Sequence, residues 1–153
     1  MGRGLRLRLP SPRPFPGGRG SEVTPYVLTL RVYYEDTDAG GIVYHARYLA
    51  YAERARTEAL RQAGVPHAEL VDGYGLIFVV HRVEMDYLRP ARLDDELTVT
   101  TGPWALGAAT VEVRQVFAAA DGKVGSLLVK LACVRRANGR PARIPDRWRA
   151  ALS

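Results

Sequence analysis

The sequence predicts an α+β domain in which one long helix lies on an antiparallel sheet, and three observations lead there. Residues 46–63 repeat with a helical period. Five other runs alternate with period two or are rich in β-branched residues. The last four of these follow one another through short turns, so the order is strand, long helix, then four strands. At 153 residues, 47% hydrophobic and 25% charged, the chain fits one soluble domain large enough to bury a core.

The elements can be taken in order. Residues 1–22 carry five arginines against one glutamate, which is +4 of the net +6. With four prolines and five glycines, this basic stretch is expected to be disordered, so the basicity belongs to a tail and does not call for nucleic acid. It has no apolar run of the kind a secretory signal needs, and no stretch of the chain is apolar enough to span a bilayer. The folded domain is expected over residues 23–153.

"YVLTLRVYY" alternates, with Leu28, Leu30, Val32 and Tyr34 on one face. A helix over about 46–63 then places Tyr48, Ala52, Ala55, Ala59 and Ala63 in one stripe. Leu49, Tyr51 and Leu60 flank it, and Arg47, Arg54, Glu58 and Arg61 lie opposite. A stripe so rich in alanine lets the helix approach its sheet closely. Gly64 and Pro66 stop it.

"GLIFVVHRVEMDYL" (75–88) reads as a strand too apolar at its start to be an edge. "ELTVTT" (96–101) is broken by Gly102-Pro103, and "ATVEVRQVFA" (109–118) alternates. Asp121-Gly122 turns the chain into 124–136, and Asp146 caps a short terminal helix. One helix covers one face of such a sheet, and the bare face or edge points to an oligomer. Cys133 is the only cysteine and sits in an apolar strand, so it is read as a buried structural thiol. His81 is read as a structural histidine.

The chemistry concentrates in "YYEDTDAGGIVYHARYLAYAERARTEALRQAG", residues 33–64, which crowds Glu35, Asp36 and Asp38 just ahead of the helix. Calcium fits poorly, because Arg47 stands where a loop starting at Asp36 needs its twelfth-position glutamate. His45, His67 and His81 are too far apart for a zinc site, and none of the four serines lies in a nucleophile elbow. No phosphate-binding glycine fingerprint is present.

What remains is a carboxylate beside a helix opening, where unpaired N–H groups can hold a developing oxyanion. Gly40 and Gly41 let a ligand approach the backbone. Those parts suffice to hydrolyse an activated acyl group without serine or metal. From the residues alone a second reading stays open, in which the acids merely stabilise the helix end and Gly-Gly makes a turn.

The same segment, from Val32, resembles the signature of the hotdog-fold acyl-CoA thioesterases. It is most similar to the 4-hydroxybenzoyl-CoA thioesterase group and its branch encoded beside the Tol–Pal envelope system. "MDYLRPARLDDELTV" is similar to the family's second segment, and the resemblance runs from about 27 to about 150. It implies a five-stranded curved antiparallel sheet wrapped around one long central helix. It also implies a cytoplasmic homodimer or homotetramer with active sites between subunits.

The resemblance makes Asp38 the catalytic carboxylate, as nucleophile or general base, and puts the thioester carbonyl against the amide of His45. Gly40, Gly41 and Tyr44 line the site, and Glu53 on the helix is a supporting residue with a rival role as base. Asp36 and Glu35 are read as structural or solvated, and Asp86 as undecided. The implied substrate is an acyl-CoA, with an acyl carrier protein as an alternative donor. No cofactor or metal is implied, since CoA is part of the substrate. Two other activities stay in view: a hotdog hydratase or dehydratase, and a non-hydrolytic thioester-binding module.

Overall fold

The computed structural model describes residues 24–153, so the expectation of a disordered stretch over 1–22 lies outside the described residues. Five strands form one antiparallel sheet: β1 (Tyr26–Arg31), β2 (Leu76–Tyr87), β3 (Glu96–Leu106), β4 (Thr110–Ala119) and β5 (Gly122–Arg135). Their spatial order is β1-β3-β4-β5-β2. The long helix α1 (Arg47–Gln62) packs on β1 and β3, α2 (His67–Tyr74) on β2, and α3 (Asp146–Leu152) on β3.

The alternation expected of the strands holds. Along β4, Val111, Val113, Gln115 and Phe117 are buried, and the residues between them are half-buried on the other face. Tyr48, Ala52, Ala55 and Ala59 of α1 are buried against this inner face, as the alanine stripe requires, whereas Ala63 is exposed. Gly64 ends the helix in a left-handed conformation, with φ of 80°. Cys133 is fully buried.

Several expectations need correction. β2 is an edge strand despite its apolar start, because it pairs with β5 alone. Its first residues are covered from another direction: Leu76 is buried beneath the helices, and Phe78 lies 5.8 Å from the ring of Trp148 in α3. Farther along, Val79, Val80 and Val83 are exposed. β3 does not stop at Gly102-Pro103. It continues to Leu106 through a register shift between Thr101 and Trp104, where Gly102 takes a φ of 124° open to glycine.

β1 ends at Arg31, and a 3₁₀ turn over Tyr34–Asp36 follows, so Tyr34 is exposed and does not continue the inner face. Asp146 is the first residue of α3 and makes no capping hydrogen bond. His81 is exposed at a register shift between Val80 and Arg82, so it is a bulge residue and not a buried structural one. α2 has no counterpart in the sequence reading, because eight residues hold too little periodicity to be seen.

Gly125 shows how closely the strands approach. A Cβ there would sit 2.6 Å from the carbonyl oxygen of Asp86. No helix among the described residues is long and apolar enough to cross a membrane.

Candidate active site

The acidic segment folds into a tight hairpin that ends at the mouth of α1. Thr37 bridges to Val43 and Ile42 to Arg92, and the amide of Asp38 donates to the carbonyl of Ile42 at 2.9 Å. The Gly41 amide closes the turn onto the Asp38 carbonyl at 3.0 Å, with a φ of 75° at Gly41 that favours glycine. Asp38 itself is exposed at the hairpin tip. One carboxylate oxygen accepts the Gly40 amide at 2.8 Å, an Asx-type contact that fixes the side chain. The other carries no hydrogen bond among the described residues.

Gly40 has an ordinary φ, so its role differs from that of Gly41. A Cβ at Gly40 would lie 3.1 Å from Asp38 Oδ1. Gly40→Ala should therefore displace the carboxylate by a few tenths of an ångström and lower kcat several-fold at an unchanged melting temperature. Gly41→Ala should instead cost about 1 kcal/mol of stability, because it strains the turn. Thermal melts beside initial rates separate the two.

The helix opening is bare. Ala46 occupies the N-cap position of α1 without a side-chain cap, and no acid lies in the first turn. The amides of His45 and Ala46 donate to no acceptor among the described residues, while the amide of Arg47 returns to Tyr44 O at 2.8 Å. None of the crowded acids caps this helix by a side-chain hydrogen bond to its free amides. Tyr87, the last residue of β2, fixes the opening from outside by donating its hydroxyl to His45 O at 2.7 Å. The rings of Tyr44 and His45 lie 4.3 Å apart, and both residues are exposed. On the hairpin ladder Asp38 faces Ile42, three residues before His45, or about 10 Å of extended chain.

Asp36 is the buried member of the cluster, at 5% exposure. It accepts the Tyr33 amide at 2.9 Å and Nε of Arg47 at 2.5 Å, tying the hairpin to the first turn of α1. Burial pushes its carboxyl up, but the Tyr33 amide and the neighbouring Tyr51 and Arg47 side chains outweigh that and hold it below the usual carboxylate range. The Tyr51 hydroxyl is buried close by without a hydrogen bond of normal geometry, and its pKa is raised first by burial and then by the Asp36 charge. The structural reading of Asp36 holds; Glu35 is exposed and lies 4.0 Å from Arg47.

The hairpin thus brings Asp38, Gly40 and Gly41 together, with Tyr44 and His45 at the helix mouth. Glu53 stands apart. It is exposed on the flank of α1, eight residues or about 12 Å beyond His45. Asp86 is exposed on the outer face of the sheet, away from this site. Sequence reasoning missed Tyr87 and the Asp36–Arg47 tie, since both are long-range contacts with no local period. Among the described residues no three His, Cys, Asp or Glu side chains gather to hold a metal ion.

A profile of the thioesterase superfamily matches residues 40–126, more than half of the chain. The chain belongs to that superfamily. An acyl-CoA thioesterase, YbgC, of Haemophilus influenzae is 43% identical over 127 residues, covering 83% of this chain and 93% of the relative. YbgC of Helicobacter pylori is 36% identical over 115 residues, covering 74% and 72%. Among solved structures, a probable thioesterase from Bartonella henselae superposes with a TM-score of 0.74 at 35% identity, covering 79% of this chain and 99% of that one. The five-stranded sheet around α1 is the hotdog fold of this superfamily.

Proposed function

We propose that this member of the superfamily hydrolyses acyl-CoA thioesters at Asp38 and the opening of α1. The observation that carries the reading is the uncapped mouth of α1, with free amides at His45 and Ala46, reached by a short hairpin whose glycine turn holds the Asp38 carboxylate. A thioester carbonyl oxygen docked on those amides would gain charge in the transition state where donors already point. Asp38 then acts on the carbonyl carbon in one of two ways. It attacks directly, expelling the CoA thiolate and leaving a mixed anhydride that water opens. Alternatively it takes a proton from water, whose oxygen bonds to the carbon as the thiolate leaves. Either route yields a carboxylic acid and free CoA. The His45 ring and Tyr44 border the same opening.

The test is release of CoA from a panel of acyl-CoA thioesters by the full-length chain. Absence of release across the panel would refute the reading. An acyl carrier protein charged with the same acyl groups tests the alternative donor, which the resemblance to the branch beside the Tol–Pal system supports. CoA thioesters as substrates support a cytoplasmic setting.

The working unit in this reading is a homodimer, two of which would build a tetramer. Its support is the edge strand β2, whose Val79, Val80 and Val83 are exposed along an unpaired rim. Val80→Lys is expected to shift the sedimentation coefficient toward the monomer and to lower turnover with it. A wild-type chain that sediments as a monomer at micromolar concentration would overturn this part.

A further inference from the structure

Beyond the helix mouth, α1 carries a buried cation that nothing above uses. Arg56 is 9% exposed, and its Nη1 donates to Oε1 of Gln115 at 2.9 Å. Gln115, fully buried on β4, is locked in turn, since its Nε2 donates to Ala52 O at 2.8 Å and to Thr101 Oγ1 at 2.9 Å. That uses one of the five guanidinium N–H groups. No carboxylate forms an ion pair with Arg56 among the described residues; Glu53 is the acid whose charge it feels, and the charge of Arg56 is in turn felt by His67. Burial presses its pKa down, and the charge of Glu53 offsets that only in part. Its remaining nitrogens are not sealed in, since the Tyr51 hydroxyl and the Trp148 indole N–H are the fully enclosed side-chain groups without a partner among the described residues.

The position of this cation is set twice over. Leu49, Glu53, Arg56 and Leu60 lie along one flank of α1. On the sheet, Thr101, Gln115, Leu127 and Met85 form one row across four strands. The neighbouring row ends at Tyr87, whose hydroxyl holds His45. Adjacent rows on one face are about 7 Å apart. Along the helix, Ala52, which shares Gln115 with Arg56, is seven residues or about 10 Å from His45. Leu49, between His45 and Glu53 on that flank of α1, is exposed and apolar.

We propose that Arg56 is a specificity-determining residue whose guanidinium, held by Gln115, receives a carboxylate at the far end of the acyl group. This inference rests on the thioesterase reading of the helix mouth. The substrates would be CoA half-thioesters of dicarboxylic acids, and a span of about 7–10 Å fits an extended chain of roughly six carbons. A carboxylate supplies a directly contacting anion and two acceptors in the geometry a guanidinium favours. An alkyl end of the same length would be pressed against a buried cation with unmet donors.

The experiment compares hexanedioyl-CoA with hexanoyl-CoA on the full-length chain. For the wild type, kcat/KM should favour the diacid thioester by roughly tenfold or more. Arg56→Met should erase that ratio, and Arg56→Lys, which keeps the charge without the fork, should fall between. Thermal melts show whether each variant folds. Calorimetric binding of both thioesters to wild type and Arg56→Met runs in parallel. Turnover of both compounds with a ratio that Arg56→Met leaves in place overturns the role of Arg56 and spares the hydrolase. An absence of turnover, with diacid binding lost in Arg56→Met, overturns the hydrolase and spares Arg56. Neither turnover nor a binding preference overturns both.

Discussion

Asp38→Asn is expected to lower kcat for acyl-CoA thioesters by about 10²-fold or more, the usual cost of losing a positioned base. The substitution is unusually clean here. Asp38 is exposed, and the one hydrogen bond of its side chain among the described residues, from the Gly40 amide, can be kept by the amide oxygen of asparagine. The hairpin should fold as before, with an unchanged melting temperature and a KM near that of the wild type. Glu53→Gln is the matching control. Glu53 lies two turns along the helix and makes no side-chain hydrogen bond among the described residues, so its loss should matter less. If Glu53→Gln slows release more than Asp38→Asn does, the chemistry belongs to the helix glutamate.

Asp36→Asn should damage stability most among the acids, lowering the melting midpoint by roughly 5 °C. The asparagine can still accept the Tyr33 amide, but it cannot neutralise Arg47 in the first turn of α1. The effect stays moderate because the Arg47 side chain is about a third exposed, at 35%, and solvent screens the pair. The pH dependence has a definite sign. The folded-state pKa of Asp36 lies below its ordinary value of 3.8, so ionised Asp36 favours the folded chain. That contribution is complete above 3.8, fades as pH falls through 3.8 to the lower folded value, and is then gone. Melts taken between pH 7 and pH 2.5 should therefore converge for wild type and variant at the acid end. Curves that stay parallel would show that the carboxylate is not ionised against Arg47. A loosened hairpin should also cut kcat about tenfold, since Asp36 positions the turn that carries Asp38.

The sheet and its long helix were legible because both are periodic. The alternation in β4 and the alanine stripe of α1 each repeat over enough residues to stand above chance. The acids were legible as a cluster, and the resemblance singled out Asp38 from among them. What stayed hidden depends on contacts between distant segments. Strand order decides that β2 is an edge, and order is not written in the apolar content of one strand. Tyr87 and Arg47 act through partners 42 and 11 residues away. Arg56 and Gln115 were overlooked for the same reason. A charged residue on a helix and an amide on a strand read as surface until they are found bonded to each other inside. His81 erred the other way, because a bulge on an open rim leaves it in solvent.

Cys133 has a practical consequence for measuring all of this. It is the sole sulfhydryl of the chain, sits at 0% exposure in β5, and has its pKa raised by burial. A disulfide reagent that colours with free CoA should therefore find no competing group on the native enzyme, so the blank is flat. Once the β5 strand is pulled open, one equivalent per chain should appear at the rate of opening, which turns the same dye into a gauge of unfolding.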